Sequence, residues 1–291
     1  MIKELERVGV VGCGLMGSGI AEVCATAGLD VLVREVDGDA VHRGKSRIES
    51  SLERAVRRGK LDAETRDLAL ERLRFTTDLD EFADRQVVFE AVLEHEAAKV
   101  AVFSALDGIV EDKEAILASN TSSIPIMKLG MVTRRPEQVV GIHFFNPVPV
   151  LQLVELVSSL LTAPEVTDRA EELATGVLGK KVIRSQDRAG FVVNALLVPY
   201  LLSAVRMLES GFARAEDIDL GMVVGCAHPM GPLHLSDLIG LDTLKAISES
   251  MYDEFKEPLY SPPPLLLRMV DAGLLGRKSG RGFFNHVEHA S

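Results

Sequence analysis

His143 and Glu155 stand twelve residues apart, each inside a run of strand-forming apolar residues. An imidazole with an ordinary pKa of about 6.5 can take up and return a proton near neutrality. A carboxylate within the apolar run 151–157 is costly to bury without a partner. Facing the imidazole, it would fix the ring tautomer and stabilise the charged form. This pairing suits the oxidation of an alcohol, in which a base removes the hydroxyl proton while hydride leaves the carbon. The residues by themselves leave a second option for Glu155, an outward-facing position on its strand.

Hydride needs an acceptor. Gly12-Cys13-Gly14-Leu15-Met16-Gly17 follows a strand-like run and opens a helical one, and Glu35 ends the next strand-like run, eighteen residues beyond Gly17. In that context the three glycines serve a tight turn, a close backbone approach to a pyrophosphate, and close helix–strand packing. The N–H groups at the helix start, from Leu15, Met16 and Gly17, then face the phosphates. An acid at position 35 accepts hydrogen bonds from ribose hydroxyls and repels a 2′-phosphate, which favours NAD over NADP. Arg34 works against that preference, because a guanidinium beside Glu35 can neutralise such a phosphate.

The elements that must position these groups alternate. Strands are predicted over 7–11, 30–35, 86–91, 115–119, 139–143, 151–157 and 181–185, and helices over 14–27, 39–58 and 167–178. This alternation implies an α/β fold, a doubly wound, mostly parallel sheet of the Rossmann type. After 187–190 the chain becomes apolar and helical, with helices predicted over 191–210, 216–224, 235–255 and 264–272. Two domains are expected, 1–186 for the dinucleotide and a smaller all-helical domain over 187–291. The greasy stretch 191–208 contains Asn194, Pro199 and Arg206, interruptions that favour a helix buried in protein over a membrane span.

Three segments carry a resemblance: Ser119-Asn120-Thr121-Ser122-Ser123, His143-Phe144-Phe145-Asn146-Pro147-Val148-Pro149, and Gly190-Phe191-Val192-Val193-Asn194. With Glu155 they closely resemble the 3-hydroxyacyl-CoA dehydrogenase family. The resemblance extends to His228-Pro229-Met230-Gly231-Pro232 and to Gly276-Arg277-Lys278-Ser279-Gly280, and so covers nearly the whole chain. The length is similar to that of the stand-alone, bacterial 3-hydroxybutyryl-CoA dehydrogenases. The resemblance implies NAD-dependent, reversible oxidation of an (S)-3-hydroxyacyl-CoA, with short acyl chains, to the 3-ketoacyl-CoA. It assigns Ser122 and Asn194 to the reacting oxygen and the nicotinamide. It also implies cofactor contacts at Asn146, Glu94, Lys99 and Lys278. Each of these residue types has an ordinary use: Ser122 as a helix cap, Asn194 as a helix-start residue, the others as surface groups.

Residues 43–60 hold seven basic residues and two acids, in a chain whose net charge is −11. At helical spacing Ile48, Leu52 and Ala55 share one face, and Arg47, Ser51, Arg54 and Arg58 share the next. The resemblance implies CoA contacts at Ser51, Arg58 and Ser122; a solvated helix face is the alternative. Two other readings of the chain stay open: a sugar-acid dehydrogenase similar to the L-gulonate 3-dehydrogenases, and a non-catalytic member similar to the lens lambda-crystallins.

Bulk properties set the outer limits. The acidic balance argues against nucleic acid as the main partner. Three cysteines, Cys13, Cys24 and Cys226, form neither a disulfide framework nor a metal-ligand spacing. His42, His95, His228, His234, His286 and His289 have no ligand spacing either, and no metal is expected. The first apolar run is already a core strand rather than a signal peptide, so a cytoplasmic enzyme is expected. The apolar C-terminal helices exceed what one small domain buries, and a homodimer through that domain is expected. Fatty-acid breakdown, aromatic-acid breakdown and butanol-type synthesis are all compatible with the reaction.

Overall fold

The computed structural model describes residues 5–286. The chain divides by its internal contacts into two units, Met1–Arg188 and Ala189–Ser291. The first unit runs β1 (Arg7–Val11), α1 (Leu15–Thr26), β2 (Asp30–Arg34), α2 (Gly38–Arg57), α3 (Ala63–Glu71), β3 (Leu73–Thr76), β4 (Val87–Glu90), α4 (Glu96–Ile109), β5 (Ile116–Ser119), α5 (Ile126–Gly130), β6 (Val139–Phe144), β7 (Leu153–Ser158), α6 (Pro164–Glu172) and β8 (Lys181–Gln186). The strands form one eight-stranded sheet in the order β3-β2-β1-β4-β5-β6-β7-β8. Neighbours are parallel except β6 and β7, which run antiparallel.

β4, β5 and β6 are buried along their whole length. Helices cover both faces of such a strand, which is why these segments are continuous apolar runs rather than alternating ones. On one face Val8, Val10, Val87 and Phe89 of the sheet pack against Ile20 and Cys24 of α1, Ile48 and Leu52 of α2, and Val166 and Ala170 of α6.

Four elements lie outside the sequence expectation: α3, β3, α4 and α5. β3 is a four-residue edge strand whose apolar face is only Leu73 and Phe75, packed part-buried against the core, too short a run to stand out in the sequence. α4 carries Lys99 on its buried face beside Phe103 and Leu106, so its apolar stripe is broken by a charge. The stretch expected as a helix over 167–178 starts earlier, at Pro164, and ends as a π-helical turn, Leu173–Val177.

The second unit is helical: α7 (Val193–Glu209), α8 (Ala215–Gly225), α9 (Pro232–Ile239), α10 (Leu241–Phe255) and α11 (Pro264–Asp271). Its own core is built from Leu201, Leu202, Val205, Leu233, Leu241, Leu244, Met251 and Leu266. The single helix expected over 235–255 is two helices. Gly240, at φ +100°, lies in a region that L side chains rarely adopt and turns the chain between α9 and α10. No helix among the described residues is long and apolar enough to cross a membrane.

One buried acid lies between α1 and α2. Glu22 is 5% exposed. Burial pushes its carboxyl up from 4.5 to about 7, against a hydrogen bond from Ser51 and the charge of Arg54. A raised acid favours the folded state while protonated, so its contribution is lost as pH rises from the unfolded value through about 7. Glu22→Gln removes that loss and keeps a partner for Ser51. Its stability advantage over the natural chain should grow by about 2 kcal/mol between about pH 5 and about pH 8. Urea unfolding at both pH values measures this, and an advantage independent of pH would contradict the assignment.

Candidate active site

His143 is the fifth residue of β6, and the antiparallel register sets it directly opposite Glu155 on β7. Residues paired in this way project their side chains from the same face, close enough to touch. The imidazole is 4% exposed and the Glu155 carboxylate not at all. Nδ1 lies 2.8 Å from Glu155 Oε2. A carboxylate only accepts, so Nδ1 carries the proton, and Nε2 is left as the basic nitrogen. Ser122 Oγ lies 3.0 Å from Nε2 and donates to it. The ring of Phe145 leans on the imidazole with centroids 4.7 Å apart.

Ser122 belongs to the loop that follows β5, not to a helix cap. Asn120 Oδ1 accepts the Phe144 N–H at 2.8 Å, tying the end of β5 to the end of β6. Glu94 gathers the loop itself. Its Oε1 accepts from Thr121 Oγ1 (2.5 Å), Ser122 N (2.9 Å), Ser123 N (3.0 Å) and Ser123 Oγ (2.9 Å). Burial alone would raise the Glu94 carboxyl. Lys99 and these donors outweigh it and hold the group below the usual carboxylate range.

Lys99 is not a surface cation. It is 1% exposed and lies beneath the loop. Its ammonium is 3.3 Å from Glu94 Oε2 and donates to both oxygens of Glu90, at 2.7 and 3.0 Å. Glu90, the last residue of β4, was not singled out from the sequence, although an acid closing the run Val87-Val88-Phe89 carries the same signal that marked Glu155. Asn120 and Lys180 were also missed. The Lys180 ammonium donates to the carbonyls of Val148 and Leu151 at 2.5 and 2.9 Å and so secures the turn between β6 and β7. That turn carries Asn146, which is exposed and precedes a cis bond to Pro147.

The glycine-rich turn lies along the same edge of the sheet. Gly12 sits at φ +94°, and a Cβ at Gly17 would stand 1.8 Å from the Gly12 carbonyl oxygen, so neither position takes a side chain. Around Gly14 the space a Cβ would fill is open to 4 Å. No side chain caps α1, and the first-turn N–H groups of Leu15, Met16 and Gly17 have no acceptor within the helix. An open cradle before an uncapped helix start fits a dinucleotide pyrophosphate. Glu35 Oε1 accepts the Cys13 N–H at 2.5 Å and Oε2 the Val36 N–H at 3.1 Å. Each oxygen keeps a lone pair for a ribose hydroxyl. Arg34 donates through Nε to the Thr77 carbonyl at 3.3 Å, which engages it beside β3.

On α2, Ser51 is half-buried and turned to Glu22, and Arg58 is exposed at the C-terminal cap. A groove of about 400 Å³ along this helix is lined by His42, Arg43, Ser46, Arg47, Ser50 and Arg54. Arg47, placed by spacing on the basic face, also donates to the Cys13 carbonyl at 2.8 Å and so braces the glycine-rich turn. In the second unit, Asn194 is 9% exposed in the first turn of α7, and Lys278 pairs with Asp242. Among the described residues no group of three or more His, Cys, Asp or Glu is placed to hold a metal ion.

Comparison with known proteins matches two family models: the 3-hydroxyacyl-CoA dehydrogenase NAD binding domain over residues 7–188 and the 3-hydroxyacyl-CoA dehydrogenase C-terminal domain over 190–286. A 3-hydroxybutyryl-CoA dehydrogenase of Mycobacterium tuberculosis is 60% identical over 286 residues, covering 98% of this chain and all of that one. The crystal structure of M. tuberculosis FadB2 superposes with a TM-score of 0.96 at 61% identity, covering 97% of this chain and 99% of that one. The (S)-3-hydroxybutyryl-CoA dehydrogenase of Ralstonia eutropha superposes at 0.93 with 44% identity, covering 98% of this chain and all of that one.

Proposed function

The chain belongs to the 3-hydroxyacyl-CoA dehydrogenase family, and we propose that it interconverts short-chain (S)-3-hydroxyacyl-CoA, with 3-hydroxybutyryl-CoA as the model substrate, and the corresponding 3-ketoacyl-CoA. The observation that carries this reading is the line from Ser122 Oγ through Nε2 and Nδ1 of His143 to Glu155. NAD, when bound, supplies the acceptor for the hydride that leaves C3 of the substrate. Nε2 of His143 takes the proton from the 3-hydroxyl. The buried Glu155 carboxylate stabilises the imidazolium that results, and in the reverse direction the same nitrogen returns the proton. The Ser122 hydroxyl, within reach of Nε2, gives the substrate oxygen a hydrogen bond as it becomes a carbonyl. The resemblance extends that role to Asn194 and gives cofactor contacts to Asn146, Glu94, Lys99 and Lys278. Full enclosure of Lys99 makes its part in cofactor binding an indirect one, through Glu94.

The CoA phosphates are assigned to the basic face of α2, with Ser51 and Arg58 as contacts. The groove beside them, with Arg43, Arg47 and Arg54 in its lining, supports this reading. The second unit exposes Leu196, Phe212, Leu220 and Val224, large apolar side chains that suit a homodimer interface. A cytoplasmic location agrees with three free cysteines.

Purified protein should oxidise NADH rapidly with acetoacetyl-CoA and much more slowly with NADPH. His143→Ala should lower kcat by roughly 10²–10⁴. A folded, NADH-binding protein that does not turn over acetoacetyl-CoA would remove the acyl-CoA reading and make sugar acids the next substrates to try. Arg58→Glu should raise KM for the thioester by about tenfold or more and leave KM for NADH nearly unchanged; an equal rise in both would sink the α2 assignment. Sedimentation at micromolar concentration should find a dimer, and a monomer would overturn the interface.

A further inference from the structure

We propose that Glu90 is a positioning residue for this reaction, acting through Lys99 and Glu94 on the serine loop. The proposal rests on the function given above and adds to it a residue that touches neither substrate nor cofactor. Glu90 ends β4, between β1 and β5, and is fully buried. Its two oxygens meet four hydrogen-bond approaches. Oε1 accepts from Lys99 Nζ at 2.7 Å and from Val92 N at 2.7 Å; Oε2 accepts from Lys99 Nζ at 3.0 Å and from Ser119 Oγ at 2.6 Å.

Stability does not explain this arrangement. A buried ion pair gains little over well-packed apolar residues of the same volume. What the pair does is anchor a segment from two sides. Along one path, Lys99 holds Glu94 by its Oε2, and Glu94 Oε1 holds the Thr121 hydroxyl and the backbone of Ser122 and Ser123. Along the other, Glu90 Oε2 holds the Ser119 hydroxyl, which in turn accepts the Thr121 N–H at 3.2 Å. Both paths start at one carboxylate and end on residues 119–123. On that segment the hydroxyl that meets the His143 imidazole is that of Ser122, at 3.0 Å.

A loop serine can rotate or drift by an ångström, and misplacement on that scale costs orders of magnitude in rate. A fixed carboxylate beneath the loop prevents the drift without occupying the site. Glu94, partly exposed, would otherwise have only the loop to hold it in place. Lys99 gives it a rigid counter-charge, and Glu90 gives Lys99 its place.

The test uses a double variant of the full-length chain. Glu90→Gln leaves Lys99 with a weaker partner and risks misfolding. Glu90→Leu combined with Lys99→Met replaces the pair by apolar groups and leaves no lone buried charge; the Val92 N–H and the Ser119 hydroxyl lose their acceptor, so thermal unfolding checks that the variant folds. In the double variant kcat with acetoacetyl-CoA should fall by about tenfold or more, while KM for the thioester changes less than threefold. Nitrogen NMR of the substrate-free protein should show the His143 Nε2 resonance moved, as the Ser122 hydroxyl leaves it. A folded double variant with kcat within threefold of the natural chain and an unmoved Nε2 resonance would overturn the proposal. The NMR readout needs no turnover, so a natural chain inactive on acetoacetyl-CoA would reject the substrate assignment and leave the positioning role to be decided by the resonance.

Discussion

A carboxylate with no access to water, set in the middle of a β-strand, is tolerated only if a partner meets it. Glu155 is that carboxylate, and His143 meets it across the antiparallel pair of β6 and β7. The requirement propagates outward. Side chains alternate along a strand, so a slip of one residue in register would send Glu155 to the opposite face of the sheet. The turn between the two strands therefore has to be held. Backbone N–H groups of Val150 and Leu151 close on the Pro147 carbonyl, and the Lys180 ammonium clamps two further carbonyls of the same turn. The one antiparallel neighbour in an otherwise parallel sheet is the device that puts an acid opposite the imidazole.

The parallel part of the sheet supplies everything else at one edge. β1, β4, β5 and β6 run in the same direction, so Gly12, Glu90, Ser119 and Phe144 all emerge at their C-terminal ends. Open α/β sheets build their sites there because consecutive loops converge without crossing. Here the loops after β1, β4, β5 and β6 bring the glycine-rich turn, Glu94, Ser122 and Asn146. Hydrogen bonds between neighbouring loop starts, Asn120 to Phe144 and Glu94 to the serine segment, convert that convergence into fixed distances.

Much of this was legible in the sequence, for physical reasons that differ by element. The Rossmann pattern was readable because buried parallel strands are unbroken apolar runs and the glycine turn has a specific spacing. The Ser122, His143 and Glu155 assignments came from motif resemblance and from the cost of an acid in an apolar strand. What was not legible depended on contacts between segments far apart in sequence. The resemblance names Lys99 as a cofactor contact, but its enclosure beneath the loop shows only once α4 is in place. Glu90 carries the signal of an acid in an apolar run, but its partners, Lys99 and Ser119, lie on other elements and show only in the folded chain. The break at Gly240 was hidden because helical periodicity continues on both sides of it.

Buried charge occurs at both ends of the sheet, and the contrast between the ends bears on what such charges are for. At the N-terminal edge, Arg85 joins Asp30 and Asp84, and Arg135 joins Asp107. The Arg135 guanidinium also donates to the carbonyls of Asp107, Val110 and Asp112. Guanidinium groups hold their charge at any working pH and satisfy several acceptors in one plane. They are suited to fixing strand and helix ends and to nothing that requires a change of state. At the C-terminal edge the buried bases are instead an imidazole and two ammonium groups, those of Lys99 and Lys180, and the neutral partners are hydroxyls and carbonyls. Of these, the imidazole is the group that the proposed reaction uses to take up and return a proton. A permanent Arg–Asp tie at residue 143 would hold the same two strands together, but it could not accept a proton. The placement of exchangeable groups at one edge and fixed charges at the other follows the division between the end of the sheet that reacts and the end that only has to stay closed.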